Sequence, residues 1–229
     1  ARPSRNQIVL NRRDLKRGVR WPLTLACLSA GLLLALPAGA VQTLPIHWQA
    51  GGQSAGSNSA GQAARVATDA FGNVAVVSGP SMASRLAVTS YTPAGAFRWR
   101  GEISPSSGTF AGDWVAAAPN GDFVAVGHNV NSSGAPIAIT LVRFGSDGAF
   151  QWRVDVAGTS FPSVGRLLVD SGGNAYLAFS SGSLGRDILL QKYSPSGGLL
   201  WTQVIDTGFF TNNIATSLVL SADETDVAV

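Results

Sequence analysis

Four tryptophans recur along the chain at nearly constant spacing. Trp48, Trp99, Trp152 and Trp201 are separated by 51, 53 and 49 residues. The last three end the same pattern, in which an aromatic residue, a Gly and a Phe or Leu precede the Trp at fixed distances. A period of about 50 residues is typical of repeat architectures, whose units bury their apolar faces against one another.

A second pattern precedes these tryptophans and predicts tight hairpins. Gly72-Asn73, Gly121-Asp122 and Gly173-Asn174 each lie between two short apolar runs. Glycine tolerates the positive φ that a tight hairpin turn requires, so each pair marks a turn between two strands. A degenerate fourth copy of this pattern covers residues 215–229.

Each repeat therefore predicts four short strands. In the first unit these strands are 64–68, 74–78, 86–91 and 97–103. They are rich in Val, Ala, Leu and aromatic residues, a composition that suits strands buried on both faces. We predict an all-β fold, a β-propeller built from four-stranded antiparallel blades of about 50 residues.

The repeats predict three full blades and partial units at both ends of residues 41–229. The predicted bounds are 63–103, 113–156 and 164–206 for the blades, 214–229 for the C-terminal partial unit, and Leu44–Gln49 for a lone Trp strand. Closed propellers usually have four to eight blades. The sequence leaves two alternatives open, an incomplete propeller or a ring closed by the N-terminal strand and the C-terminal unit.

The stretch LQKYSPSGGLLWTQV, from Leu190 to Val204, resembles the bacterial SBBP repeat, the repeat of a seven-bladed β-propeller family. In that family a Lys-Tyr strand leads to a Gly turn and a Trp strand, and an Asp-x-x-Gly-Asn hairpin follows. The resemblance covers about residues 44–229. It implies an exported bacterial repeat protein with a binding or surface role, and it implies no particular activity.

The first forty residues have the organisation of a secretory signal peptide. A basic segment precedes the apolar run WPLTLACLSAGLLLALP at 21–37, and Ala38-Gly39-Ala40 follows as a small-residue cleavage pattern. The run is 17 residues long, shorter than the ~20 that span a bilayer, so we expect no retained membrane span. Export through the Sec route and export through the twin-arginine route, suggested by Arg12-Arg13, both stay open. Localisation is predicted as periplasmic, cell-surface or extracellular.

Charge and cysteine content exclude several classes of function for residues 41–229. The net charge of +3 comes from the N-terminal segment, because nine basic and twelve acidic residues remain beyond residue 40. We therefore expect no nucleic-acid partner. Cys27 is the only cysteine and lies in the apolar run, so the mature part is predicted to have no disulfide, thiolate metal site or cysteine nucleophile.

The candidate chemistry is sparse. His47 and His128 lack partners at the spacing of a metal site, and His128 is expected at the end of a strand as a structural or solvated residue. Asp69 and Asp170 suggest calcium, but each hairpin offers one carboxylate and the second copy has Ala118 there. We expect these aspartates to cap their own turns.

Two further sets of residues carry structural expectations. Phe110, Asp113 and Trp114 are predicted to lie in a linker between units, where they would contribute to a recognition surface. The repeat tryptophans are predicted to pack between adjacent blades rather than to stack on a ligand: Trp99, Trp152 and Trp201.

The sequence predicts an exported, non-enzymatic β-propeller repeat protein that acts as a binding scaffold for an unknown protein or glycan. We assign no catalytic, cofactor-binding or metal-binding residue and expect no cofactor. The alternative is a quinoprotein-like enzyme of the pyrroloquinoline quinone (PQQ) type, or a fragment of one, because such propellers also place a Trp after a Gly turn.

Overall fold

The computed structural model describes residues 63–78, 85–105, 108–156, 162–182, 187–205 and 213–229. The chain divides into two compact units, Ala1–Leu44 and Pro45–Val229, and every described residue belongs to the second unit. The predicted signal peptide, His47 and the lone Trp strand at Leu44–Gln49 lie outside the described residues. No helix among the described residues is long and apolar enough to cross a membrane.

The described residues form three four-stranded sheets and a short C-terminal hairpin. Blade 1 consists of β1 (Ala63–Thr68), β2 (Val74–Ser78), β3 (Leu86–Tyr91) and β4 (Phe97–Ile103). Blade 2 consists of β5 (Thr109–Ala117), β6 (Phe123–Val130), β7 (Pro136–Phe144) and β8 (Phe150–Val156). Blade 3 consists of β9 (Ser163–Val169), β10 (Ala175–Ser181), β11 (Asp187–Tyr193) and β12 (Leu199–Ile205). The hairpin consists of β13 (Val219–Leu220) and β14 (Val227–Ala228).

Each blade is an antiparallel meander whose strands lie side by side in chain order. The first strands of neighbouring blades approach one another, β1 against β5 and β5 against β9. The predicted fold class is therefore confirmed, an all-β fold of four-stranded propeller-type blades. The turn glycines behave as predicted, since Gly72 adopts a φ of 79° in the hairpin between β1 and β2.

One predicted boundary is wrong. Blade 2 begins at Thr109 and not at residue 113. The extra residues belong to β5 because Phe110 is buried in the core and pairs with Asn129 of β6. The space between β4 and β5 is therefore short, and the predicted linker residues are part of the sheet.

The core lies between blades. One cluster joins Leu86, Val88 and Trp99 of blade 1 to Phe123 and Phe144 of blade 2. A second joins β6 and β7 of blade 2 to β9 and β10 of blade 3. A third covers blade 3 with side chains that precede and enter the C-terminal hairpin, among them Ala215 and Leu218. Each blade is therefore stabilised mainly by its neighbours, as in other repeat proteins.

Two of the repeat tryptophans form hydrogen bonds to the next blade. Trp99 donates its indole N–H to the carbonyl oxygen of Ser146 at 3.0 Å, and Trp152 donates to that of Pro195 at 2.8 Å. The two acceptors occupy the same position in the turns before β8 and β12. The predicted packing between blades is thus confirmed for these two tryptophans. Trp201 differs from them. It contacts Tyr176 of its own blade, and 37% of its surface is exposed to solvent.

Candidate functional site

Every first strand of a blade carries a β-bulge at the same place. The register slips between Ala63 and Arg65 in β1, and between Gly112 and Trp114 in β5. The pairing of β9 with β10 slips in the same region, beside Gly165. Bulges bend a strand and redirect its side chains, and they are frequent near functional sites.

The residues that follow these bulges converge. Arg65, Trp114 and Arg166 each lie seven positions before the turn glycine of their hairpin, so they are equivalent in blades 1, 2 and 3. The guanidinium carbons of Arg65 and Arg166 are each 4.2 Å from the centroid of the Trp114 ring. This geometry is that of a cation–π contact, typically about 0.5–2 kcal/mol. Blades 1 and 3 therefore each place a guanidinium group against the indole of Trp114 in blade 2.

Arg166 retains hydrogen-bonding capacity within this stack. Its Nε is buried and has no hydrogen-bond partner among the described residues. Unsatisfied buried donors are uncommon in folded proteins. An acceptor that reached this nitrogen would therefore gain a charge-assisted hydrogen bond.

Asp113, the bulged residue of β5, forms a pair with His128 of β6. Nδ1 of His128 lies 2.7 Å from Oδ2 of Asp113, and both side chains are about one-fifth exposed. Burial raises the pKa of Asp113, and the hydrogen bond and charge of His128 together with the charge of Arg65 offset only part of that rise. Among the described residues, the side chain of His128 forms its hydrogen bond through Nδ1.

These positions correct two sequence-based expectations. Phe110, Asp113 and Trp114 are strand residues rather than linker residues, because β5 is longer than its counterpart in blade 1. His128 lies within β6 rather than at its end, and it has a carboxylate partner fifteen residues away. The sequence did not indicate Asp113 as its partner, because the two residues lie on adjacent strands and are fifteen positions apart in the chain. We call Arg65, Asp113, Trp114, His128 and Arg166 the first-strand cluster.

The hairpin aspartates cap their own turns, as predicted. Asp69 accepts hydrogen bonds from the backbone N–H groups of Phe71 and Asn73 at 2.9 and 2.8 Å. Asp170 accepts from the N–H of Asn174 at 2.7 Å. Among the described residues, no three His, Cys, Asp or Glu side chains are grouped so that they could hold a metal ion.

Asp170 makes stability depend on pH. Burial alone would raise the pKa of Asp170, but hydrogen bonds from Asn174 and Lys192 and the charge of Lys192 lower it below its usual 3.8. The folded state therefore binds fewer protons here than the unfolded state, and the stabilisation is lost as pH falls below about 4.

We expect Asp170→Asn to weaken this acid dependence. Between neutral pH and about pH 2 the variant should lose on the order of 1 kcal/mol less stability than the unchanged protein, as measured by urea unfolding at each pH. Asp147→Asn, in an exposed turn, is the matched control and should follow the unchanged protein. Parallel pH curves for Asp170→Asn and the unchanged protein would contradict the assignment.

Sequence reasoning also missed a buried ion pair between Asp122 and Arg143. Nη2 of Arg143 lies 3.0 Å from Oδ2 of Asp122, and both side chains are almost fully buried. Lys192 occupies the position of Arg143 in blade 3 and pairs with a different hairpin aspartate, Asp170, at 3.3 Å. The available signal was the basic residue that precedes the aromatic residue in β7 and β11.

No protein-family model matches the chain, and no curated protein matches it at a significant level. The chain is similar to a solved protein of unknown function from Bacteroides caccae, with 13% identity and a TM-score of 0.48 over 73% of this chain and 52% of that one. It is also similar to a gluconolactonase from Xanthomonas campestris, with 14% identity and a TM-score of 0.39 over 76% and 56%. For an apocarotenoid oxygenase from Synechocystis the identity is 13% and the TM-score 0.42 over 65% and 40%. The chain spans about half the length of these structures or less.

Proposed function

We propose that the chain is an exported, non-enzymatic scaffold of SBBP-type blades that binds an acidic glycan at the first-strand cluster. The observation that supports this proposal is the convergence of Arg65 and Arg166 on Trp114. These three residues come from three successive blades, so a ligand there would contact the scaffold as a whole. Export rests on the N-terminal sequence pattern, and the repeat family rests on the sequence resemblance.

The chemistry of the cluster suits a sugar acid. Guanidinium groups bind carboxylates in bidentate geometry, and the buried Nε of Arg166 offers one more donor. Asp113 and His128 carry polar groups that can hydrogen-bond the hydroxyls of a sugar. A neutral glycan offers no carboxylate to these guanidinium groups.

We expect the protein to bind polygalacturonate and to bind the neutral polymer dextran at least about tenfold more weakly. Affinity electrophoresis and calorimetry of the full chain, purified as a bacterial host processes it, measure this difference. The double variant Arg65→Gln/Arg166→Gln should lose about a hundredfold or more in affinity for polygalacturonate, because each lost charge-assisted contact costs ~1.5–3 kcal/mol. Arg85→Gln is the matched control, since Arg85 is exposed and pairs with Glu102.

Several outcomes would overturn the proposal. Equal binding of both polymers, or unchanged binding by the double variant, would remove the first-strand cluster as the site. Binding of poly-glutamate but not of polygalacturonate would indicate a protein ligand instead of a glycan. Shortening of the polymer during incubation would replace the scaffold by an enzyme, and His128→Gln would then test acid–base catalysis by the pair with Asp113.

A further inference from the structure

The two guanidinium groups of the first-strand cluster lie on opposite faces of Trp114. Arg65 comes from blade 1 and Arg166 from blade 3, and these blades pack against opposite sides of blade 2. Each guanidinium carbon is 4.2 Å from the ring centroid, and two such groups at that height are too bulky to share one face of an indole. They are therefore separated by twice that distance, about 8.4 Å, with the indole between them.

This arrangement determines which groups of the cluster a ligand can use. Both faces of the Trp114 ring are covered, so a sugar would contact the guanidinium groups rather than stack on the indole. A guanidinium carries five N–H donors in one plane, and its contact with an aromatic face leaves these donors directed outward at its rim. The Nε of Arg166, which has no hydrogen-bond partner in the described part of the chain, is one of them.

The charge of the cluster is divided between two points. Like charges at this separation repel each other, and water and salt weaken the repulsion without removing it. Asp113 offsets part of the charge of Arg65, because the two groups attract each other. A ligand with one carboxylate can neutralise the positive charge on one side of Trp114. A ligand with two carboxylates at the matching separation neutralises it on both sides.

We infer that the first-strand cluster binds two carboxylates of one acidic polysaccharide chain at once, one at Arg65 and one at Arg166. The inference rests on the proposed function and adds the spacing of the charges that the ligand must carry. One ring of polygalacturonate advances the chain by about half of the separation between the two guanidinium groups, so the carboxylates of alternate rings match that separation. The smallest fragment that reaches both arginines is therefore a trisaccharide.

Calorimetry of the full chain, purified as a bacterial host processes it, tests this inference with galacturonate and its di-, tri- and tetrasaccharides. We expect the affinity to rise at least about tenfold from the disaccharide to the trisaccharide, because the second contact becomes intramolecular, and to change little at the tetrasaccharide. A trisaccharide that is methyl-esterified at one outer ring should bind as weakly as the disaccharide. Esterification of the central ring keeps both outer carboxylates and should leave the affinity of the trisaccharide unchanged.

Single variants separate the two contacts. Arg65→Gln and Arg166→Gln should each abolish the rise between disaccharide and trisaccharide and should keep the weak binding of galacturonate. Arg166→Lys retains the positive charge, so it should keep the rise and thereby show that the effect of Arg166→Gln does not come from misfolding. Arg85→Gln is the matched control, since Arg85 pairs with Glu102, and it should behave as the unchanged protein.

The possible results distinguish this inference from the proposed function. Failure of polygalacturonate to bind at all would overturn both. If the polymer binds but galacturonate and the trisaccharide have equal affinity, the inference of two carboxylates is wrong and the proposed function stands. A rise in affinity that persists in both single Arg→Gln variants would have the same meaning.

Discussion

Replacing Trp99 with alanine is expected to lower the free energy of unfolding by about 3–5 kcal/mol. The side chain is 8% exposed and packs against Phe123 and Phe144 of blade 2, with ring centroids 6.0 and 6.1 Å away. Its indole N–H donates to Ser146 of the same blade. A Cβ on Gly148 would lie only 2.6 Å from the indole, so the turn and the ring fit closely together. Removal of Trp99 therefore leaves a cavity in the main interface between blades 1 and 2.

Trp201→Ala is the matched control for this prediction. Trp201 occupies the same position of the repeat, but it is 37% exposed and its ring contact is with Tyr176 of its own blade. We expect a smaller loss of about 2–3 kcal/mol, because less apolar area leaves contact with protein and no cavity forms between two blades. Urea unfolding followed by circular dichroism at low protein concentration measures both variants. Equal losses would mean that the interface between blades 1 and 2 does not depend on Trp99.

The sequence predicted the blades because their determinants are local and repeated. A turn glycine marks each hairpin, a capping aspartate supports the hairpins of blades 1 and 3, and the tryptophans of blades 1 and 2 contact the next blade. The observed β2, β3 and β4 have the predicted bounds, and β1 begins one residue earlier. The start of β5 was misplaced because its added length comes from Phe110, whose burial depends on blade 1 rather than on the repeat pattern.

The first-strand cluster could not be derived in the same way. Arg65, Trp114 and Arg166 share a distance of seven residues from the turn glycine, but their side chains differ, with Trp114 between two arginines. Their convergence depends on the bulges and on the approach of first strands from different blades, which are tertiary features. The sequence does signal the cluster in one way, since Arg65, Trp114 and Arg166 occupy equal positions of the repeat. Because the three residues are not identical, a search for identical residues does not find them.

The second large effect is expected at the buried ion pair of blade 2. Asp122 accepts hydrogen bonds from Asn120, Gln151 and the backbone N–H of Ser146, and it pairs with Arg143. Burial alone would raise the pKa of Asp122, but hydrogen bonds from Asn120, Gln151 and Arg143 and the charge of Arg143 lower it. The carboxylate is therefore charged in the folded protein at neutral pH.

Arg143 also connects blade 2 to blade 3. Its Nη1 donates hydrogen bonds to the carbonyl oxygens of Gly173 and Pro195, at 3.1 and 3.4 Å. Pro195 is also the acceptor for Trp152, so one turn of blade 3 receives both contacts. Loss of Arg143 thus removes a tie between blades and leaves the charge of Asp122 uncompensated.

We expect Arg143→Met to lower the free energy of unfolding by about 3–5 kcal/mol, because it leaves the buried carboxylate of Asp122 without its cation. Asp122→Asn/Arg143→Met should recover part of that loss, since the neutral amide no longer needs a cation, and the difference between single and double variants gives the coupling. The matched control is Arg153→Met, whose ion pair with Asp155 is more exposed and should contribute about 1 kcal/mol or less. Denaturant unfolding of the four variants, with Asp122→Asn as the remaining single, supplies the comparison. A double variant no more stable than Arg143→Met would show that the contacts to blade 3, rather than the uncompensated carboxylate, determine the loss.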